Sequence, residues 1–208
     1  MSNIRLVLIA ITLLAVAGCA SAPPPITSYL LRGDPVEGQG PINARIRVGL
    51  GRIVVAPYLL DSLGIMIETA PGEVRPASDH RWAEPLDAGL RWFMRQQIAS
   101  ELAFDVGGGL TDTQDWDYRV DVFVARMHAT MDGNAILEAA FVVRSMKGGD
   151  EVGEYRFSKS VPLPKEGYAG VVEAQRGLTK ELVALIAGAL RERIEAADLS
   201  EMETDAGS

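Results

Sequence analysis

Cysteine is almost absent: the 208-residue chain holds one, Cys19. A single thiol excludes an internal disulfide, so the core must supply the stability. Histidine is nearly as scarce, with only His80 and His128. Two distant histidines make no HExxH helix and no set of three or four converging zinc ligands, so no metal is expected. The chain lacks a Gly-x-Ser-x-Gly elbow. Gly107-Gly108-Gly109 is not followed by the Lys and Ser or Thr of a phosphate loop, so no nucleotide cofactor is expected either. Positive charge is in deficit, with 20 Lys and Arg against 28 Asp and Glu and a formal net charge of −8. That balance excludes the electrostatic footprint of a nucleic-acid binder and a broad basic surface for anionic lipid. Nor does the N-terminal apolar run, Leu6 to Ala17, approach the roughly 20 residues of a spanning helix.

What is present begins with that run. A single early cation, Arg5, precedes it, and Val16-Ala17-Gly18-Cys19 closes it. This order reads as a secretory leader over residues 1–18. Small residues followed directly by cysteine resemble a bacterial lipobox. In that chemistry the Cys19 thiol takes a diacylglycerol, the bond before it is cut, and the new amino terminus is acylated. Two or more acyl chains anchor a protein stably where one holds it only marginally. An ordinary cleavage site would instead leave an odd thiol exposed to intermolecular pairing. Residue 20 is Ala, not the Asp that usually retains lipoproteins at the inner membrane, so the outer membrane is expected, with the domain facing the periplasm.

Residues 19–27 hold Pro23-Pro24-Pro25 and read as a stiff spacer behind the lipid. One ordinary domain is expected over 28–197. Its first strand is placed at Ser28 to Arg32, ahead of a Gly- and Pro-rich loop from Gly33 to Pro41. A second strand runs from Ile46 to Ala56, where Gly49 and Gly51 suggest a bulge or a close backbone approach. Ile65 to Thr69 is a further short strand. Helix one starts near Trp82 to Glu84, with Pro85 suited to its first turn. Leu86, Leu90, Phe93, Met94, Ile98 and Leu102 recur at helical spacing. Asp105 and Val106 add a little extended chain. Alternation then places strands around Tyr118–Val124, Leu137–Val143 and Glu151–Val161, with Asp132-Gly133-Asn134 and Gly148-Gly149 as turns. These form an antiparallel meander. Helix two runs from Tyr168 to Ala197 on a stripe of Val171, Ala174, Leu178, Leu182, Leu185, Ile186 and Ala189. Residues 198–208 are expected to be a disordered acidic tail. The expected fold class is α/β: a three-layer α/β/α domain with a mixed sheet and two main helices.

Several pieces carry a resemblance. They are the lipobox, Ser28-Tyr29-Leu30-Leu31, Val48-Gly49-Leu50 leading to Ala56-Pro57-Tyr58-Leu59, the long C-terminal helix and, most specifically, His80-Arg81-Trp82-Ala83-Glu84-Pro85-Leu86. In these the chain resembles the ABC-type transport auxiliary lipoproteins, the PqiC-like family, from about Ser28 to Ala197. The resemblance implies a periplasmic domain tethered to the outer membrane. Family members accompany ABC transporters and MCE-domain proteins that move lipids or other hydrophobic solutes between the two membranes. It implies partners of those kinds, no catalysis, and leaves room for a homo-oligomer. The rival reading is an outer-membrane lipoprotein that regulates cell-wall synthesis enzymes, since fold alone does not decide function.

Within the motif, Trp82 is expected to pack the helix start, Glu84 to favour the positive helix N-terminus, and Arg81 to pair locally. His80 beside Asp79 could form an oriented base but reads better as a polar residue near a helix start. His128 is expected in solvent at a strand end. Trp92 falls nearly opposite the apolar stripe of helix one and is a candidate interface residue, since aromatics are enriched at binding hot spots.

Overall fold

The computed structural model describes residues 24–32, 46–102, 106–107, 116–147 and 151–206. Cys19, the leader, the Gly33–Pro41 loop, Asp105 and the Gly148-Gly149 turn lie outside the described residues. In chain order the elements are β1 (Thr27–Tyr29), β2 (Val48–Val55), β3 (Gly64–Ala70), β4 (Glu73–Trp82), α1 (Leu86–Leu102), β5 (Val106–Gly107), β6 (Tyr118–Ala129), β7 (Asn134–Ser145), β8 (Glu151–Pro162) and α2 (Tyr168–Ala206). Helix α2 therefore continues to Ala206, through most of the segment expected to be a disordered tail. No helix of the described residues is long and apolar enough to cross a membrane.

All eight strands share one mixed sheet. β6 is its hub. One side of β6 pairs antiparallel with β7, which pairs antiparallel with β8, giving the expected meander. Gly133, at φ 73°, makes the β6–β7 turn that the Asp-Gly-Asn triplet signals. The other side of β6 is shared. β2 runs parallel along it from Tyr118 to Val124, and β3 takes over at Ala129. The handover has a local cause: Pro57 has no N–H to continue the ladder, and a single 3-10 turn, Pro57–Leu59, carries the chain away.

Gly49 and Gly51 do both things the sequence suggests. The β2–β6 register shifts between Leu50 and Ile53, and the Arg52 amide donates to Asp121 Oδ1 at 2.7 Å. A side chain at Gly49 would run into the Trp116 ring.

The core lies on one face of the sheet. Leu50, Val120 and Val143 form one cross-strand row there, and Val122 sits opposite Phe141. Tyr118 shares this face, and its hydroxyl donates to the Arg193 carbonyl of α2. Arg91 and Arg95 of α1 donate to the carbonyls of Gly51 and Val106. The helices also touch each other, with Arg191 of α2 donating to the Glu101 carbonyl at 2.5 Å. The α/β class, mixed sheet and two main helices are as expected, but both helices lie on the same face. Among the described residues the layers number two, not three. On the opposite face Val54 and Phe123 remain exposed.

Candidate functional site

The conspicuous junction in the molecule is where the first strand, the His80–Leu86 motif and the start of α2 meet. β1 pairs parallel with the end of β4, in register Thr27 with His80, Ser28 with Arg81 and Tyr29 with Trp82. The Ala83 amide extends the ladder by donating to the Tyr29 carbonyl at 2.8 Å. Thus the backbone of the motif holds the strand that leads back toward Cys19.

The motif side chains divide between core and junction. Trp82 and Leu86 are buried, as expected. His80 lies between two phenols: its ring is 4.2 Å from the Tyr168 centroid and 5.8 Å from that of Tyr29, at interplanar angles of 20° and 25°. The Asp79 carboxylate stands 3.8 Å from Nε2. Nδ1 and the Tyr29 hydroxyl are hydrogen-bonded at 3.0 Å. An imidazole stacked on Tyr168 and hydrogen-bonded to Tyr29 serves as a strut between β1, β4 and α2. Arg81 donates to Ser28 across the β1–β4 ladder rather than to a sequence neighbour.

Glu84 finds a partner that the sequence does not indicate. Its Oε2 accepts from Arg32 at 2.8 Å, while Oε1 is buried without a hydrogen-bond partner among the described residues. Gly89 leaves the room: a Cβ there would lie 3.4 Å from Oε1 and 3.5 Å from Leu31. Arg32 also stacks over Trp92, 5.1 Å from the ring centroid. Its own carbonyl accepts from Arg176 of α2. Trp92 is 56% exposed, so the expected outward orientation holds, with a guanidinium laid across it. Beside this junction a groove of about 460 Å³ opens between β1 and the first turns of α2. Tyr29, Ala169 and Val172 line it with Arg176 and Lys180, and with Lys165, which pairs with Glu173 at 2.7 Å.

His128 corrects its expectation. It is buried to 3% exposure, not solvated. Tyr58, on the turn after β2, meets Nδ1 at 3.1 Å, and Glu68 of β3 stands 3.8 Å from Nε2. Burial and then the Arg126 guanidinium push its pKa below the usual value. Gln175 of α2 donates to the His128 and Ile136 carbonyls at 3.0 and 3.1 Å. The two histidines thus serve separate structural clusters. Among the described residues no group of three His, Cys, Asp or Glu side chains converges on a metal position.

Comparison with known proteins gives this junction a context. No curated protein matches the chain. Among solved structures, an uncharacterized protein superposes with a TM-score of 0.67 at 20% identity, covering 80% of this chain and 99% of its own. A Xanthomonas campestris protein gives 0.56 at 18% identity, covering 82% of this chain and 98% of its own. At such identities these likenesses concern the fold alone. The family described as the ABC-type transport auxiliary lipoprotein component matches residues 29–187, from the tyrosine stacked on His80 to the middle of α2. With most of its length inside that match, the chain belongs to the ABC-type transport auxiliary lipoprotein family.

Proposed function

We propose that this chain is the tethered, non-catalytic component of an envelope system that carries lipid or another hydrophobic solute between two membranes. The observation that carries the reading is the family match beginning at Tyr29, on the strand that continues the tether into the fold. In this reading Cys19 bears the lipid and Ala20 directs sorting to the outer membrane. Eight residue steps separate Cys19 from Thr27, which at full extension reach about 26–29 Å. The Pro-rich composition keeps that spacer near its extended length. Beyond it, load on the tether enters β1, and the His80 strut and the Arg32–Glu84 pair pass it to β4, α1 and α2. The domain is thereby held at a defined height below the membrane. It docks an MCE-domain protein or a sister subunit of the ABC transporter, with Trp92 and its overlying Arg32 as contact residues.

Two measurements test this. Replacing Cys19 with Ser should abolish maturation and outer-membrane partition in fractionated cells; normal partition of the variant overturns the anchor. A photo-crosslinking residue at position 92 should capture an MCE-domain protein in living cells. Consistent recovery of peptidoglycan synthases, with no MCE protein, would move the assignment to a regulator of cell-wall synthesis.

A further inference from the structure

The direction of β1 decides which end of the domain its tether leaves from. β1 lies parallel to β4, so the chain before Thr27 departs toward Glu73 and the β3–β4 turn at Pro71-Gly72. β3 is parallel to β6, which places the β6–β7 turn, around Met131, at this same end. The Leu163 amide donates to the Gly133 carbonyl at 2.9 Å, so the link from β8 to α2 crosses here too. Strand lengths then give the height of the end. Arg81 stands opposite Ser28 on one side and Gly64 on the other. From that level β3 continues to Ala70, a further six residues or about 20 Å. Nine residue steps separate Ser28 from Cys19, about 30–32 Å at full extension. Even a taut spacer therefore leaves only about 10 Å between the β3–β4 turn and the level of Cys19. The polar headgroup layer fills about 5–7 Å of that distance.

The chemistry of this end suits lipid. Met131 is 70% exposed, more than any other large apolar side chain among the described residues. A flexible thioether adapts to an irregular interface. Pro71 is exposed at the tip of the β3–β4 turn. Between the β6–β7 turn and the start of α2 lies a recess of about 190 Å³, lined by Ile67, Ala129, Leu163, Tyr168 and Val171. The nearby charges are in part spent locally: Glu73 pairs with Arg75 at 2.6 Å, and Lys165 with Glu173 at 2.7 Å. Asp132 and Glu166 are exposed and acidic, so attraction to anionic headgroups is not what this end offers. Its contact is apolar.

We propose that this end of the sheet, with Met131 and the Pro71-Gly72 turn foremost, is a membrane-contact surface that seats on the phospholipid layer around the anchor. The acyl chains hold the protein to the bilayer, and the seated turns fix the tilt that a spacer alone leaves free. Contact of this kind also adds a second, apolar signal to the lipid anchor. Arg32 and Trp92 stand past the other end of β1, clear of the lipid and open to a protein partner. The inference rests on the reading of Cys19 as the lipid site. It does not depend on what the system transports.

The test uses the full chain in cells. A photo-crosslinking residue is placed at position 131, 71, 123 or 92, one per variant. Phe123 and Trp92 are exposed aromatics away from this end, so they control for apolar exposure as such. After irradiation, intact-mass measurement of the purified protein should show phospholipid adducts at 131 and 71, at least tenfold above those at 123 and 92. Adducts equal at all four positions, or absent from 131 and 71 in protein that still partitions with the membrane, overturn the contact while leaving the anchor standing. Protein that neither partitions nor forms adducts overturns the anchor reading and the contact with it. A second measurement places Met131→Asp in the chain that carries the probe at 71. The adduct yield should fall at least fivefold with the thermal melt unchanged, and an undiminished yield overturns the role of Met131.

Discussion

The enclosure of His128 disfavours its charged form in the fold, and its Nε2 lacks a hydrogen-bond partner among the described groups. Burial and then Arg126 lower its pKa, against weaker upward pulls from Glu68 and Glu138. The unfolded chain takes up that proton near pH 6.5. The unfolded state therefore binds more protons below that value, so the stabilisation is complete above about pH 6.5 and declines as pH falls toward the lower folded value. Thermal melts between pH 7.5 and 5 should fall more steeply for the wild type than for His128→Gln; equal slopes would sink the assignment. Asp117 acts in a separate window. Burial alone would raise its pKa, but the Arg47 amide and Lys147 outweigh it and hold it below 3.8, so its share is lost only in stronger acid. The sequence placed His128 in solvent because nothing local reveals that Tyr58, 70 residues away, covers it. Trp82 and Trp92 were legible, since helix phase and the neighbouring Pro85 are local signals. Trp82→Ala should cost about 3–5 kcal/mol, the usual range for a buried aromatic. Trp92→Ala should cost under about 1 kcal/mol, the scale of an exposed cation–π contact, while weakening partner recovery. Urea denaturation and a pull-down on both variants check this, and a strongly destabilised Trp92→Ala would place that ring in the core.

Legibility at the scale of elements follows how local their causes are. Every residue of the α1 stripe from Leu86 to Leu102 is buried, because a period of 3.6 can be read without knowing the partner. β4 is the opposite case. Glu73, Arg75, Pro76, Ser78 and Asp79 show no apolar face, and the strand exists through its ladders with β3 and β1. The motif was located but its geometry was not: the pairing of His80, Arg81 and Trp82 with β1 joins residues more than 50 positions apart. In α2 the stripe was read correctly except for Leu185, whose exposure depends on where the sheet ends. Gln175 was missed altogether, since a buried amide on an apolar stripe looks like an interruption. It holds α2 to the sheet by donating to carbonyls on two different strands. Gln175→Ala should cost about 1–3 kcal/mol, the penalty for leaving buried acceptors unsatisfied. A loss below about 0.5 kcal/mol in chemical denaturation would mean that apolar packing alone docks the helix.

For the molecule as a whole, two amphipathic helices and one sheet can stack as two layers or three, and the helical stripes do not distinguish these. The strands mislead in the same direction. The outward set of β7, Ile136, Glu138, Ala140, Val142 and Arg144, is mixed enough to belong to a strand covered on both faces. What decides the layering is contact between the helices, seen in the Arg191–Glu101 bond, and that is a long-range fact. Phe123 and Phe141 turn the layering into a measurement. They are diagonal neighbours on adjacent strands: Phe123 sits opposite Ala140, and Phe141 opposite Val122. One residue of offset sends their side chains to opposite faces. Phe141 is enclosed beneath the helices, whereas Phe123 is 45% exposed on the uncovered face. Phe141→Ala should therefore cost about 3–5 kcal/mol through lost burial and a residual cavity. Phe123→Ala leaves no cavity, and its cost should stay near 1 kcal/mol, the ordinary scale of a cross-strand aromatic contact. Equal losses in urea denaturation of the two variants would require a third layer over β6, and a large difference in the expected order requires that face to be open.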